Sequence, residues 1–213
     1  INAETLYQFR RISKAVKISN ISLGRKRLLI IRDEMQGFYA VDQNKADEST
    51  IEFLTTFTKE NFALISNFAV NEAKKTLKNP FETWAVYKFH LFNDIVETWL
   101  NSSLPTAKIY QPNHATDLLF RFLSSKEGKD LLLVTGNEFG DLLHEILIFY
   151  CGYGSRDTTY STNVYLHTDF DKLIEHQTVH GSADDIAGKD IVNPIATLRV
   201  VGEIVENILC VEG

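Results

Sequence analysis

The stretch Thr178 to Pro194, TVHGSADDIAGKDIVNP, is where residue types and spacing could do chemistry. Gly181, Ser182, Ala183 and Gly188 let backbone approach a ligand closely, because glycine permits contacts and conformations that a Cβ resists. His180, Asp185 and Asn193 would present polar edges to such a ligand. The plain alternative is a polar loop that caps a helix. Elsewhere, reactive residue types lack the spacing that chemistry needs. His90, His114, His144, His167, His176 and His180 show no ligand spacing with Cys or Glu, which points to structural or exposed roles. Ser22-Leu23-Gly24 and Ser124-Ser125 have no partner pattern for a nucleophile. Arg25-Lys26-Arg27 reads as a solvated basic turn.

The elements that would hold this loop follow from the hydrophobic pattern. Before it lies a strand-like run, Thr162 to Leu166, and after it Asn193-Pro194 opens a long helical pattern with Pro at the first turn. Leu28 to Arg32 (LLIIR) and Asp130 to Val134 (DLLLV) are almost continuously apolar, as suits strands buried on both faces of a parallel sheet. Met35 to Tyr39 turns away through Gly37, and Thr50 to Thr58 has strand composition. Lys59 to Leu77 switches to helical spacing, with Phe62, Ile65, Phe68, Ala69 and Ala73 on one face, and Asn79-Pro80 marks a turn. Trp84 to Phe89 and Ala107 to Tyr110 read as strands. Leu91 to Leu100, Ala115 to Leu123 and Phe139 to Tyr150 read as helices. Strands alternating with helices at this spacing predict an α/β fold.

Composition bounds the function classes. The 213 residues can bury one large core or two small ones, and 44% hydrophobic with 23% charged residues is the balance of a globular protein. A net charge of -6 and pI near 5.5 argue against a nucleic-acid partner. No apolar run reaches membrane-spanning length, and the greasiest, Leu142 to Tyr150, is broken by His144 and Glu145. Cys151 and Cys210 make no disulfide framework and no metal spacing, which suggests a reducing compartment. The chain begins at Ile1 without a visible leader, so a removed leader or missing upstream sequence is expected.

The loop itself closely resembles the NAD-binding loop of the isocitrate and isopropylmalate dehydrogenase family, HGSAPDIAGK-x-IANP, from which only Asp184 and Val192 depart. Gln177, just before it, stands where the family generally has Glu. The similarity continues along almost the whole chain. LLIIRDEMQGFY, Leu28 to Tyr39, resembles IREN-TEG-x-Y through Arg32, Gly37 and Tyr39, and LYQFRRI, Leu6 to Ile12, resembles LYANVRP. VYKFHLFN, Val86 to Asn93, resembles VHKANIMK, and NEFGDLLHE, Asn137 to Glu145, resembles NLYGDILSD.

The resemblance implies roles. Arg32 and Arg11 would bind substrate carboxylate, for which a guanidinium fork is suited, and Tyr39 would assist proton transfer. Lys88 would be the acid/base Lys that reaches the partner subunit's site. His180, Gly181, Ser182, Asp185 and Asn193 would hold NAD, with Asp185 on the ribose hydroxyls. Asp141 and Glu145, spaced i, i+4 on one helix face, would be metal carboxylates. Mg²⁺ or Mn²⁺ is disfavoured nonetheless, because Pro112 occupies the acidic position of the third ligand segment and Asp117 falls on a Gln position.

The implied fold is α/β, dehydrogenase-like, around a mostly parallel sheet, as a single partial unit over 1–213. About 33–113 would be the small, dimerisation part and about 114–213 the cofactor-loop part of a large domain whose N-terminal portion is absent. Three functions are consistent with these features. The first is a non-catalytic accessory subunit of a larger mitochondrial assembly, on the matrix side. The others are a regulatory subunit of a hetero-oligomeric NAD-dependent isocitrate dehydrogenase and an active oxidative decarboxylase completed by another chain. The implied partner is a homologous subunit or a large protein complex, with Leu142 to Tyr150 meeting it.

Overall fold

The computed structural model describes residues 3–37, 43–150, 160–170, 173–178 and 184–211. Its centre is a pair of parallel strands, β2 (Lys26–Asp33) and β7 (Asp130–Thr135), the two apolar runs of the sequence. Every residue of β7 is buried, as is all of β2 except Arg27. Because successive side chains alternate across a strand, the two runs build two cores. Leu29, Ile31, Leu132 and Val134 face α2 (Lys59–Thr76) and α3 (Asn93–Ser103). Leu28, Ile30, Leu131 and Leu133 face α4 (Pro112–Ser124) and α5 (Asn137–Tyr150). At roughly 25 cal/mol per Å² of apolar surface removed from water, these two layers are the main favourable term of the fold.

The other strands are β1 (Ala15–Leu23), β5 (Phe81–Val86), β6 (Lys108–Tyr110), β8 (Tyr160–Tyr165) and β9 (Ile174–Thr178), and the sheet order is β6-β5-β7-β2-β1-β8-β9. β6, β5, β7 and β2 are mutually parallel, β1 is antiparallel to β2 and β8, and β9 is antiparallel to β8. Five of the seven strands therefore run one way, as the mostly parallel expectation requires. β3 (Gln43–Ala46) and β4 (Ile51–Leu54) form a separate two-stranded ribbon with β4 fully exposed. α1 (Ala3–Ile12) precedes β1, and α6 (Ile195–Val211) closes the described chain.

Several boundaries differ from the sequence expectation. The strand expected over Trp84 to Phe89 ends at Val86, and of Thr50 to Thr58 only Ile51–Leu54 is strand. α4 begins at Pro112, with proline at its first turn, where a missing N–H costs nothing. In α6 the proline sits outside instead: Leu198 N donates to the Pro194 carbonyl and Asn193 Oδ1 accepts from Ile195 N, so the pair caps the helix. Lys26 corrects the solvated basic turn. It is buried, its Nζ bonds the Phe122 and Ser125 carbonyls at the end of α4, and it lies 4.5 Å from the Phe122 ring centroid. A cation at a helix C-terminus satisfies carbonyls that have no intrahelical donor.

Candidate functional site at the carboxyl ends of the parallel strands

The carboxyl ends of β2, β7 and β5 gather polar residues that the apolar strands would otherwise exclude. In open α/β sheets this edge is where ligands bind. Arg32 leaves β2 beneath α5, and α5 lies on it closely: a Cβ on Gly140 would stand 2.7 Å from Arg32 Cγ and Cδ and 2.8 Å from Thr135 Cγ2. Arg32 is 6% exposed. Its Nε donates to Glu34 Oε1 at 2.7 Å, Nη2 lies 2.6 Å from the same oxygen, and Nη1 pairs with Asp141 on α5. Burial opposes the charge, but Glu34 and Asp141 outweigh it and hold Arg32 above its ordinary pKa.

Glu34, 2% exposed, is the hub of this cluster. Arg10 Nη1 approaches its other oxygen at 3.5 Å, and Lys17 Nζ lies 3.9 Å away on β1, directly paired with Arg32 in register. Arg10 is also buried, and its Nη2 reaches Gln177 Oε1 at 2.5 Å and Glu175 Oε1 at 3.3 Å on β9. Glu175 in turn accepts from Tyr165 Oη at 2.6 Å and Asn163 Nδ2 at 3.0 Å. Burial lowers Lys17 to about 8, with Glu34 opposing and Arg32 and Arg10 reinforcing the shift. His144, buried on α5, is held at about 4, chiefly by burial and then by Arg32 and Lys17. Its Nδ1 lies 2.8 Å from Ser19 Oγ, while Nε2 has no hydrogen-bond partner among the described residues.

On the opposite face of the same strand end, Asp33 is fully buried and faces the α2 layer's turn. Its carboxylate accepts from Met35 N at 2.8 Å, Gln36 N at 3.2 Å and Gln36 Nε2 at 2.6 Å. Gln36 passes the restraint on, its Oε1 accepting from Thr58 N at the start of α2. Burial pushes Asp33 up to about 7 despite these bonds. Gly37 completes the turn at φ +99°, where a Cβ would come within 2.5 Å of Glu138 Oε1. Tyr87 Oη and both amide atoms of Asn137 are buried without partners here among the described residues. Each such group costs about 1–3 kcal/mol if it stays without a partner.

Of the residues singled out from sequence, the structure brings Arg32 and Asp141 into contact. Arg11 does not join them: its Nε donates to Gln8 on its own helix, and the adjacent Arg10 reaches Glu34 instead. Glu145 lies one turn beyond Asp141 on α5, half-buried, and Lys88 is exposed just past the end of β5. Asp185 sits exposed in a single 3₁₀ turn, Asp184–Ile186, its carbonyl accepting from Lys189 Nζ at 2.6 Å. Tyr39, His180, Gly181 and Ser182 lie outside the described residues. Sequence reading missed Glu34, Arg10, Lys17 and His144. Glu34 was visible only as a departure from the family wording, and the other three only as residues near it in space.

Two of the carboxylates weighed as metal donors are engaged with arginines. Asp141 is neutralised by Arg32, Pro112 offers no donor, and Asp117 is paired with Arg121 on the surface of α4 at 3.0 Å. Among the described residues no three His, Cys, Asp or Glu side chains converge.

A parallel-centred sheet with helices on both faces and arginine and carboxylates at its carboxyl edge defines an α/β fold class, and sequence comparison narrows it. The family model described as isocitrate/isopropylmalate dehydrogenase matches residues 4–209, and the chain belongs to that family. The 3-isopropylmalate dehydrogenase of Prochlorococcus marinus (strain NATL2A) is 28% identical over 88% of this chain and 52% of its own. The tartrate dehydrogenase/decarboxylase of Pseudomonas putida is 27% identical over 85% of this chain and 50% of its own. The chain thus spans about half the length of the curated relatives it matches. The crystal structure of isocitrate dehydrogenase from Methylococcus capsulatus shares the fold, with a TM-score of 0.67 at 21% identity over 98% of this chain and 63% of that one.

Proposed function

We propose that this chain is a non-catalytic member of the dehydrogenase family that serves as a structural, accessory subunit of a larger mitochondrial assembly. The observation that carries this reading is the fate of the metal donors. Pro112 opens α4 at the acidic position of the family pattern, and Asp141 is tied to Arg32 beneath α5. Without a divalent cation, charge developing on a hydroxy-acid oxygen in the transition state has no Lewis acid to stabilise it. What the chain keeps is a scaffold. Its outward apolar side chains on α5, Leu142, Ile146, Phe149 and Tyr150, suit contact with another subunit.

The purified chain is expected to give no NAD reduction with isocitrate or isopropylmalate in Mg²⁺ or Mn²⁺. Clear turnover abolished by Lys88→Ala would overturn this. A second reading, a regulatory subunit of a hetero-oligomeric NAD-dependent isocitrate dehydrogenase, draws on exposed Lys88 and Asp185, which remain open to a partner site and to a nucleotide ribose. Gentle purification from the native source separates the two. Co-purifying intact dehydrogenase subunits favour the regulatory role, and subunits of an unrelated complex favour the accessory one.

A further inference from the structure

We propose that α6 is a self-association helix, whose outward apolar stripe packs antiparallel against the same stripe of a second copy of this chain. On its inner side α6 lies against β8 and β9, with Ala196 buried, Val200 and Glu203 half-buried, and Tyr160 Oη donating to Glu203. The side pointing away carries Leu198, Gly202, Val205 and Leu209, at alternating steps of four and three residues. Those steps keep one line of side chains on one face of a helix, the spacing of a seam that meets a second helix. Leu198 is 64%, Val205 46% and Leu209 63% exposed, so the described chain leaves the seam largely uncovered.

Gly202 is a second, independent sign. Inside a helix, glycine is the poorest residue after proline. Gly140 on α5 has a reason, because Arg32 and Thr135 lie where its Cβ would stand. A Cβ on Gly202 would meet nothing within 4 Å, so no contact among the described residues calls for glycine there. A helix crossing at that point does, since a residue without a side chain lets two backbones approach.

The charges select the occupant and its direction. Arg199 and Glu206, both exposed, stand on one flank of the seam, on either side of the midpoint between Gly202 and Glu203. In an antiparallel pair Leu198 lies over Leu209 of the second copy and Gly202 over its Val205. Arg199 of each chain then comes beside Glu206 of the other, and two-fold symmetry makes that ion pair twice. Parallel pairing would instead set Arg199 against Pro194 and Glu206 against Val201. Arg199 already interacts within its own chain, and its five N–H donors leave room for a second carboxylate. A flank with opposite charges placed this way is complementary to itself, which favours a second copy over a different protein. A seam this short is at the small end of specific interfaces, so the dimer should dissociate on dilution.

The test is sedimentation of the full chain over a concentration series, for wild type, Leu198→Asp, Arg199→Glu and Glu206→Arg, with circular dichroism to follow folding. Wild type is expected to shift from monomer to dimer as concentration rises. Leu198→Asp should stay monomeric with the wild-type spectrum, because residue 198 is exposed in the single chain. Each charge reversal alone sets like charges together at both ion pairs and should raise the dissociation constant roughly tenfold. An equimolar mixture of Arg199→Glu and Glu206→Arg restores both pairs in the mixed antiparallel dimer and should recover wild-type affinity. If Leu198→Asp does not fold, the mixture decides alone. A wild type that stays monomeric at every concentration overturns the proposal, as does a dimer that survives Leu198→Asp. Single reversals without effect, or a mixture no tighter than its components, overturn it as well. None of these outcomes bears on turnover, so the proposed function fails or stands by its own assay.

Discussion

The loop Thr178 to Pro194 and the Arg32–Asp141 region make opposite use of their family likeness. In the loop, the wording of the sequence is nearly intact, yet its described part is solvent-facing. Asp184, Asp185 and Gly188 through Val192 are exposed, and Asn193 is occupied with capping α6. At the end of β2 and on α5 the wording has drifted at Asp33, Glu34, Met35, Gln36 and His144, yet there every side chain is buried and packed or bonded to others. Surface residues that contact ligand can persist or change without disturbing the fold. A buried polar residue can change only if its neighbours change with it, because an unpaired charge in the interior costs several kcal/mol. The drifted region is therefore the more informative one. Its substitutions form a consistent set in which Glu34 answers Arg10, Lys17 and Arg32.

This contrast can be broken by mutation, beginning where the effect is greatest. Glu34→Ala should destabilise the protein by about 3 kcal/mol in denaturant unfolding, since it removes the buried anion that two arginines share and leaves them only their half-exposed partners. A loss below about 1 kcal/mol would show that the cluster is no tighter than a surface ion network.

Acid and neutral pH should separate the two faces of the same strand. Asp33, raised to about 7 by burial, binds its proton more tightly folded than unfolded. Its contribution is present below its ordinary carboxyl range and is lost as pH rises toward 7. His144, held at about 4 from an ordinary 6.5, does the reverse: its contribution is present above 6.5 and is lost as pH falls toward 4. Across the shared window the two slopes oppose. Asp33→Asn should make stability climb more steeply with pH, and His144→Gln should make it climb less, each by at most about 1.4 kcal/mol per pH unit. Melting curves from acid to neutral pH that shift both variants in the same direction would contradict this.

Gly140→Ala tests how closely α5 lies on Arg32. A Cβ there must displace Arg32 and Thr135, so a loss of about 1–3 kcal/mol is expected, despite the better helix propensity of alanine. The smallest effect belongs to the loop. Asp185→Ala should change stability by less than about 0.5 kcal/mol, because its side chain is exposed and carries no packing. A tight, saturable NAD titration lost in that variant would show that the loop still works as a cofactor site.

Particular residues show how far the sequence was legible. The strands LLII and DLLLV announced themselves because residues buried on both faces must be apolar, and α2 did so through Phe62, Ile65, Ala69 and Ala73 recurring at helical spacing. β1 escaped because AVKISNISL alternates without a strong apolar face, being paired on both edges but packed unevenly. β9, IEHQT, escaped because a polar edge strand has no hydrophobic pattern to read. Pro112 drew attention in the sequence as standing at an acidic position of the family pattern, and its role in starting α4 came only from the backbone.

The sequence by itself determined the α/β class, the two central strands and the family, because these rest on local periodicity and on motifs read within a few residues. Only the tertiary structure decided that Arg10 rather than Arg11 turns inward, that Lys26 is buried, and that Arg32 is already matched by Glu34 and Asp141. Electrostatic partnership depends on distance through space. Residues 10, 17, 32, 34 and 141 come together only because β1, β2 and α5 pack side by side, and no spacing along the chain encodes that meeting.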